Sequence, residues 1–378
     1  MAEGQRQVSR IGVGIIGAGN ISDQYLTNLT QFADVEVLMV ADLILERAAS
    51  QAEKYGVPAS GTVEELLARD DIQIVVNITI PAEHAKVGQQ IIAAGKHTWS
   101  EKPVATNASD AQELLAAAAA AGVRYACAPD TVLGAGIQTA IRAIARGDIG
   151  TPLTATTMFH VPGPDQWHPD PEFLYAQGAG PLFDIGPYYV TTLLHAFGAA
   201  SRVQAVSSKS RETRVIGSGP RAGTEFAVEV PTHHAALISF EGGQSAQTTL
   251  SFQHALPRNG FVEINGSEGT IVLPDPNVFD GDSTLWTLGK DEPTTLEHKG
   301  STWGRGTGVV ELARAIAEGR PERASGAVAS HALDVMLGIR DAAESGQSVE
   351  ITSSIDPIQP LPEDFDPAAA VLAEAANA

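Results

Sequence analysis

Residues 11–22 read Ile11-Gly12-Val13-Gly14-Ile15-Ile16-Gly17-Ala18-Gly19-Asn20-Ile21-Ser22. An apolar, β-branched run that breaks into a glycine turn and then a helical pattern is how a nucleotide-binding α/β unit begins. Two glycine frames compete. Gly12-x-Gly14-x-x-Gly17 fits the letters G-x-G-x-x-G, yet it would put the phosphate turn inside the strand. In the other frame Gly17 permits the tight turn, Gly19 lets a pyrophosphate approach the backbone, and Ser22 is small enough for close helix packing. A plain strand-to-helix turn is the simpler reading of the same residues. Asp42 speaks for the nucleotide: it follows the predicted strand 35–41 and stands 25 residues past Gly17, near the spacing at which a carboxylate meets the adenosine ribose hydroxyls. That carboxylate would repel a 2′-phosphate, and Leu43 stands where a cation would serve NADP. NAD is favoured over NADP.

Outward from this turn, short β-branched runs (11–16, 35–41, 73–79, 97–100, 123–127) alternate with helical patterns (21–30, 45–55, 63–68, 83–94, 109–121). Such alternation predicts a doubly wound parallel sheet of the Rossmann type. Ser109 and Gln112 have capping-box spacing, and Gly122 stops the last helix. After residue 150 the pattern becomes strands at 152–160, 202–208, 225–230, 234–240, 245–253, 261–265 and 270–273, several joined by glycine turns, which predicts a mostly antiparallel sheet. Helices follow at 306–318 and 327–345, then a Pro-rich acidic tail, surface-bound or mobile. The expected organisation is a Rossmann domain at 1–130, an α+β substrate-binding domain at 131–355 and a tail at 356–378.

A length of 378 residues suits two cores, and 43% hydrophobic against 18% charged residues suits a soluble enzyme. The absence of any apolar run of roughly 18 to 20 residues predicts no membrane span. The polar residues 1–10 do not resemble a secretory signal, so a cytoplasmic protein is expected. A net charge of −21 argues against nucleic acid as a partner. The single cysteine, Cys127, fits a reducing compartment and reads as a core residue. Adjacent His233 and His234 point to opposite faces of a strand, and no metal-ligand spacing occurs, so no metal is expected.

Gly17-Ala18-Gly19-Asn20-Ile21, Asp42, Asn77-Ile78-Thr79-Ile80-Pro81 with His84, Gly95-Lys96-His97 leading to Glu101-Lys102-Pro103, and Gly178-Ala179-Gly180-Pro181-Leu182-Phe183-Asp184-Ile185-Gly186 together resemble the glucose-fructose oxidoreductase and inositol dehydrogenase family (Gfo/Idh/MocA). The resemblance spans nearly the whole chain. It implies an open-faced second sheet, a homo-oligomer (dimer or tetramer), and NAD(P)-dependent oxidation or reduction of a carbohydrate or polyol. It also implies that Gly17, Gly19, Asn20, Ile21, Asp42, Thr79, Pro81, His84, Glu101 and Lys102 serve the cofactor. By the same resemblance Lys102 contacts the reacting hydroxyl, Glu101 and Pro103 position it, and Asp184 is the substrate-cleft carboxylate. The family's histidine and aspartate beyond Gly186 are here Tyr188 and Thr191, as in its tyrosine-containing branch, so a histidine relay is unavailable. Asp130-Thr131-Val132-Leu133 stands where the family has Asn-Arg-Arg-Phe, so by the resemblance Asp130 is a substrate residue, a cationic substrate contact is missing and a neutral substrate is expected.

Alcohol oxidation by NAD needs a base near the hydroxyl. Lys102 can supply it, with Tyr188 sharing the proton; an ordinary surface lysine, a packing tyrosine and, for Asp184, a helix-start carboxylate are the plainer readings. In the loop 160–169, Trp167 can stack on a sugar ring with His168 bonding its hydroxyls, and loop rigidity explains the stretch equally well. His331 and Arg323 read as helix-surface residues. The leading expectation is an NAD-dependent sugar, glycoside or polyol dehydrogenase. Its rivals are a glycoside hydrolase that oxidises its sugar transiently and a non-catalytic dinucleotide sensor.

Overall fold

The computed structural model describes residues 10–372. The chain runs β1 (Ile11–Ile16), α1 (Ser22–Leu29), β2 (Val35–Ala41), α2 (Leu45–Tyr55), β3 (Ser60–Gly61), α3 (Val63–Leu67), β4 (Ile74–Asn77), α4 (His84–Ala93), β5 (His97–Ser100), α5 (Ala108–Ala121) and β6 (Tyr125–Cys127). It continues through α6 (Ala135–Arg146), β7 (Pro152–His160), α7 (Gly180–Asp184), α8 (Gly186–Phe197), β8 (Ala200–Ser208), β9 (Thr213–Val215), β10 (Glu225–Ala227), β11 (His233–Phe240), β12 (Ser245–Ser251) and β13 (Arg258–Gly266). It ends with β14 (Gly269–Leu273), β15 (Ser283–Thr287), β16 (Thr294–Leu296), α9 (Thr307–Glu318), α10 (Gly326–Ser345) and β17 (Val349–Glu350).

Among the described residues, 10–133, 300–329 and 364–372 form one compact unit, and 134–299 and 330–363 form the other. The contiguous division expected from sequence is therefore not the grouping the contacts give. The reason is tertiary. Gly308, at the start of α9, lies so close to the Trp99 ring that a Cβ there would collide with it, and Cys127 N–H donates to Ala324 O at 3.0 Å. The tail is no separate segment either. Leu361 is buried with its N–H on Gln138 Oε1 (2.6 Å), and the Arg314 guanidinium holds the carbonyls of Asp366 and Ala369 (2.9 and 2.8 Å).

The first unit carries a parallel six-stranded sheet in the order β3-β2-β1-β4-β5-β6, which reverses direction of winding between β1 and β4. Ile15, Val75 and Val76 are fully buried, as central strands covered on both faces require. Gly12 and Gly14 belong to β1 and have packing reasons of their own: a Cβ at Gly12 would collide with Asp71 O, and one at Gly14 would lie 2.8 Å from Leu66. Asn107, not Ser109, caps α5, its side chain accepting from Asp110 N–H at 2.9 Å, and Gly122 ends that helix in the left-handed conformation. Capping here follows the residue with extended backbone, which the spacing rule alone does not select.

The second unit is built on a nine-stranded sheet, β16-β15-β14-β13-β7-β12-β11-β8-β17, antiparallel except where β12 pairs parallel with β7. One face is covered: Ala155, Thr157, Ala246, Thr248 and Leu250 are buried there. Across from it Val206, Leu237 and Trp286 are exposed, so the sheet is open-faced. Among the described residues no helix is long and apolar enough to cross a membrane.

Candidate functional site

In the first unit the glycine turn lies at the carboxyl end of β1, at the point where the strand order reverses. Open α/β sheets bind their ligands there. Gly17 (φ +112°) sits against β4's exit, where a Cβ would meet Ile78 O at 2.7 Å. Gly19 is the opposite case: a Cβ there would meet nothing within 4 Å, so the backbone is bare toward open space. Buried Ser22 folds its hydroxyl back onto Gly19 O (2.6 Å), and α1 begins after Ile21 with no side-chain cap. An uncapped helix start behind a bare turn is a place for an anion. Asn20 is exposed and Ile21 half-buried. Asp42 leaves β2 with one carboxylate oxygen accepting from Ala18 N–H (2.7 Å) and the other from Ile44 N–H (2.8 Å). A carboxylate has about four lone-pair sites, so both oxygens keep acceptor capacity for ribose hydroxyls. Leu43 is 93% exposed beside it, offering no cation.

At the end of β4, Thr79 Oγ1 donates to Asn77 Oδ1 (2.8 Å), and Pro81 is exposed. His84 is buried, with Nδ1 2.7 Å from Pro103 O and Nε2 3.0 Å from Thr79 O. Burial pushes its pKa below the ordinary histidine value, against the pull of the two carbonyls. His84 thus ties the turn after β4 to the turn after β5.

Lys102 follows β5, half-buried, with a cis bond to Pro103. Its amide is held by Glu101 Oε2 (3.1 Å), while Glu101 Oε1 accepts from Tyr25 Oη (2.8 Å), which in turn accepts from Trp99 Nε1 (3.0 Å). Burial and the Glu101 charge push the Tyr25 phenol well above its ordinary pKa, so it stays a donor. Asp130 is a residue expected at the substrate. It is fully buried, accepts from Gly306 N–H (2.9 Å) and Gly308 N–H (3.3 Å) at the start of α9, and pairs with Arg305 Nη1 (3.4 Å). Burial pushes its pKa up to about 6, with Arg305 opposing. Sequence reading missed Arg305; its one signal was the glycine-rich approach Gly304-Arg305-Gly306-Thr307-Gly308. Cys127 is buried with its thiol toward Glu101 O (3.6 Å), and burial pushes its pKa up, as an inert core thiol requires.

In the second unit Asp184 is the last residue of α7, half-buried, and Ile185 is the N-cap of α8, with Pro187 in that helix's first turn. Tyr188 is buried on α8, its carbonyl accepting from Thr192 Oγ1 (2.8 Å). Trp167 is 67% exposed, edge-on to His168 (5.5 Å), which is edge-on to exposed Phe173 (5.3 Å). A buried clasp holds this loop: Arg214 Nη1 binds Asp165 Oδ1 (2.8 Å) and Pro162 O (2.7 Å), and Tyr175 Oη donates to the same Asp165 oxygen. His331 is buried and not on the helix surface; its Nε2 accepts from Ala200 N–H (2.9 Å), leaving Nδ1 to donate to Ser353 Oγ (2.8 Å). In the first unit, Arg323 pairs with buried Glu311 at 2.7 Å.

Known proteins agree with this architecture. Residues 11–128 match the NAD-binding Rossmann domain of the GFO/IDH/MocA oxidoreductase family, and residues 137–272 match the GFO/IDH/MocA C-terminal domain. Similar curated proteins include mouse trans-1,2-dihydrobenzene-1,2-diol dehydrogenase, 28% identical over 68% of this chain and 72% of the relative. Another is 1,5-anhydro-D-fructose reductase of Ensifer adhaerens, 29% identical over 68% and 74%. The fold is that of an NAD binding oxidoreductase from Klebsiella pneumoniae, with a TM-score of 0.80 at 22% identity, covering 91% of this chain and 99% of that one. A levoglucosan dehydrogenase in complex with NADH and levoglucosan superposes with a TM-score of 0.77 at 21% identity, covering 91% and 100%. With both domain models matched in order over most of its length, the chain belongs to the GFO/IDH/MocA family of oxidoreductases.

Proposed function

We propose that this protein is an NAD-dependent dehydrogenase that exchanges a hydride with a secondary alcohol or hemiacetal carbon of a neutral sugar, glycoside or polyol. The observation that carries the reading is Lys102, which leaves β5 beside the winding reversal with its backbone fixed by a buried carboxylate. The names of its relatives, a diol dehydrogenase and an anhydrosugar reductase, point to the same class of substrate.

Bound NAD would supply the hydride acceptor. Gly17, Gly19, Asn20 and Ile21 would hold its pyrophosphate against the start of α1, and Asp42 its adenosine ribose; a carboxylate there, with Leu43 exposed, selects NAD over NADP. Lys102, in the first unit, would take the hydroxyl proton; in the second unit Tyr188 would serve as a proton-sharing hydroxyl and Asp184 as the acceptor for a substrate hydroxyl. Trp167 and His168 meet the rest of the sugar. Fixing the Lys102 backbone matters because a proton acceptor must hold hydrogen-bond distance to the reacting oxygen.

The test is a panel of sugars, glycosides and cyclitols offered with NAD and, separately, NADP, followed at the absorbance of the reduced ring. NADH should form with at least one of them, and Lys102→Met should lower turnover about 10²- to 10⁴-fold while NADH still binds. Unchanged turnover in that variant refutes the assignment. Glycoside cleavage without net NADH would move the reading to a hydrolase, and ligand binding without turnover to a sensor.

A further inference from the structure

Lys102 follows directly after a carboxylate, and an uncompensated negative charge there would hold the amine in its protonated, non-basic form. Around Glu101 stand polar and titratable groups from several elements: Tyr25 from α1, His84 from α4, Cys127 from β6, Asp130 from the turn after β6, and Arg305 from the approach to α9. Tyr25 and Cys127 are held neutral by burial, and burial disfavours charge on His84. Asp130 adds a second carboxylate. The cation among these neighbours is Arg305, itself 9% exposed, with Nη1 3.8 Å from Glu101 Oε1 and 3.4 Å from Asp130 Oδ1.

We propose that Arg305 is a positioning residue for the Lys102 chemistry: it draws the Glu101 charge into a buried cluster with Asp130, so that Glu101 fixes the lysine backbone without holding a proton on its amine. The geometry supports this division. One Glu101 oxygen accepts from the Tyr25 hydroxyl and the other from the Lys102 amide, and the guanidinium approaches on the Tyr25 side. Asp130 has a second task that keeps the cluster in place. Its other oxygen receives the Gly306 and Gly308 amides, so the start of α9 and Arg305 are delivered to Glu101 together. The inference rests on the reading of Lys102 as the acid/base.

The experiment is the pH profile of kcat/KM for alcohol oxidation, measured on the folded full chain with a substrate found in the panel. Arg305→Met should move the basic-form limb about one pH unit to the alkaline side, a roughly ten-fold loss at neutral pH that raising the pH recovers. Arg305→Lys, which keeps the charge, should restore much of the parent profile. Arg305→Met combined with Asp130→Asn, which also removes one buried carboxylate charge, should keep the alkaline shift, and it carries the test where the single variant does not fold. A loss equal at every pH, or a parent profile in a folded variant lacking Arg305, overturns the proposal. Lys102→Met with full turnover would instead remove the reading beneath it; a dead Lys102→Met with unshifted Arg305 variants sinks this inference alone.

Discussion

The two glycines of the turn after β1 should respond to alanine in opposite ways. At Gly17 the backbone is left-handed (φ +112°) and the new Cβ would stand 2.7 Å from Ile78 O, a backbone atom that cannot swing aside. Strain at such a φ costs about 1 to 3 kcal/mol and overpacking a similar amount. Gly17→Ala should therefore lose about 2 to 4 kcal/mol, which is roughly 4 to 16 °C in Tm for a domain of this size. At Gly19 the φ lies outside the left-handed region and a Cβ meets no atom of the chain within 4 Å. Gly19→Ala should fold at least as stably as the parent, since alanine removes about 0.4 to 1 kcal/mol of unfolded-state entropy. What it fills is the space over which a pyrophosphate would lie. A methyl group forced into a fitted site costs about 1 to 3 kcal/mol, so NADH should bind about 5- to 150-fold more weakly. Scanning calorimetry reads the first quantity, and quenching of protein fluorescence by NADH reads the second. Parent-like NADH affinity in Gly19→Ala, with its fold intact, would show that the dinucleotide does not cross this turn.

Arg214→Met should lower Tm by roughly 6 to 20 °C, because it strands Asp165 in a pair whose side chains are only 6% and 4% exposed, and breaking such a pair costs about 3 to 5 kcal/mol. An added Asp165→Asn should recover part of the loss, and calorimetry of both variants decides it; an unchanged Tm would mean the clasp holds nothing. His234 is 5% exposed, and burial, with His233 beside it, pushes its pKa down to about 4. A depressed folded-state pKa gives stability that is present above about pH 6.5 and lost as pH falls toward 4. The loss is on the order of 3 kcal/mol at most, so His234→Gln should flatten the decline of Tm across that window. Parallel declines in parent and variant would refute it.

What could be read from sequence was whatever depends on neighbours along the chain. β1, β2 and β5 fall at their expected limits, β1 and β2 because they are nearly continuous in apolar residues, and the glycine turn is identified by where it falls relative to β1 and β2. Helix α6 carries the same kind of local signal, with Ile137, Ile141 and Ile144 on one stripe. The domain limits were not legible, because Gly308 against Trp99 and Ala324 against Cys127 join residues some 200 positions apart.

The same distinction separates the parts of the site. Gly19 and Asp42 act from positions that local geometry fixes, one just after β1 and the other just after β2, so residue type and spacing suffice to find them. Asp130 occupies a motif position that invited a substrate role, yet it has no exposed surface and receives two helix amides and a guanidinium. Its work is done through Arg305, a residue 175 positions later with no local pattern except the glycines around it. Two of those glycines have a physical reason: Gly306 takes φ +102°, and a Cβ at Gly308 would collide with the Trp99 ring. A substitution at Gly308 should therefore disturb the Lys102 turn through Trp99 and Arg305, although no atom of Gly308 needs to touch a substrate.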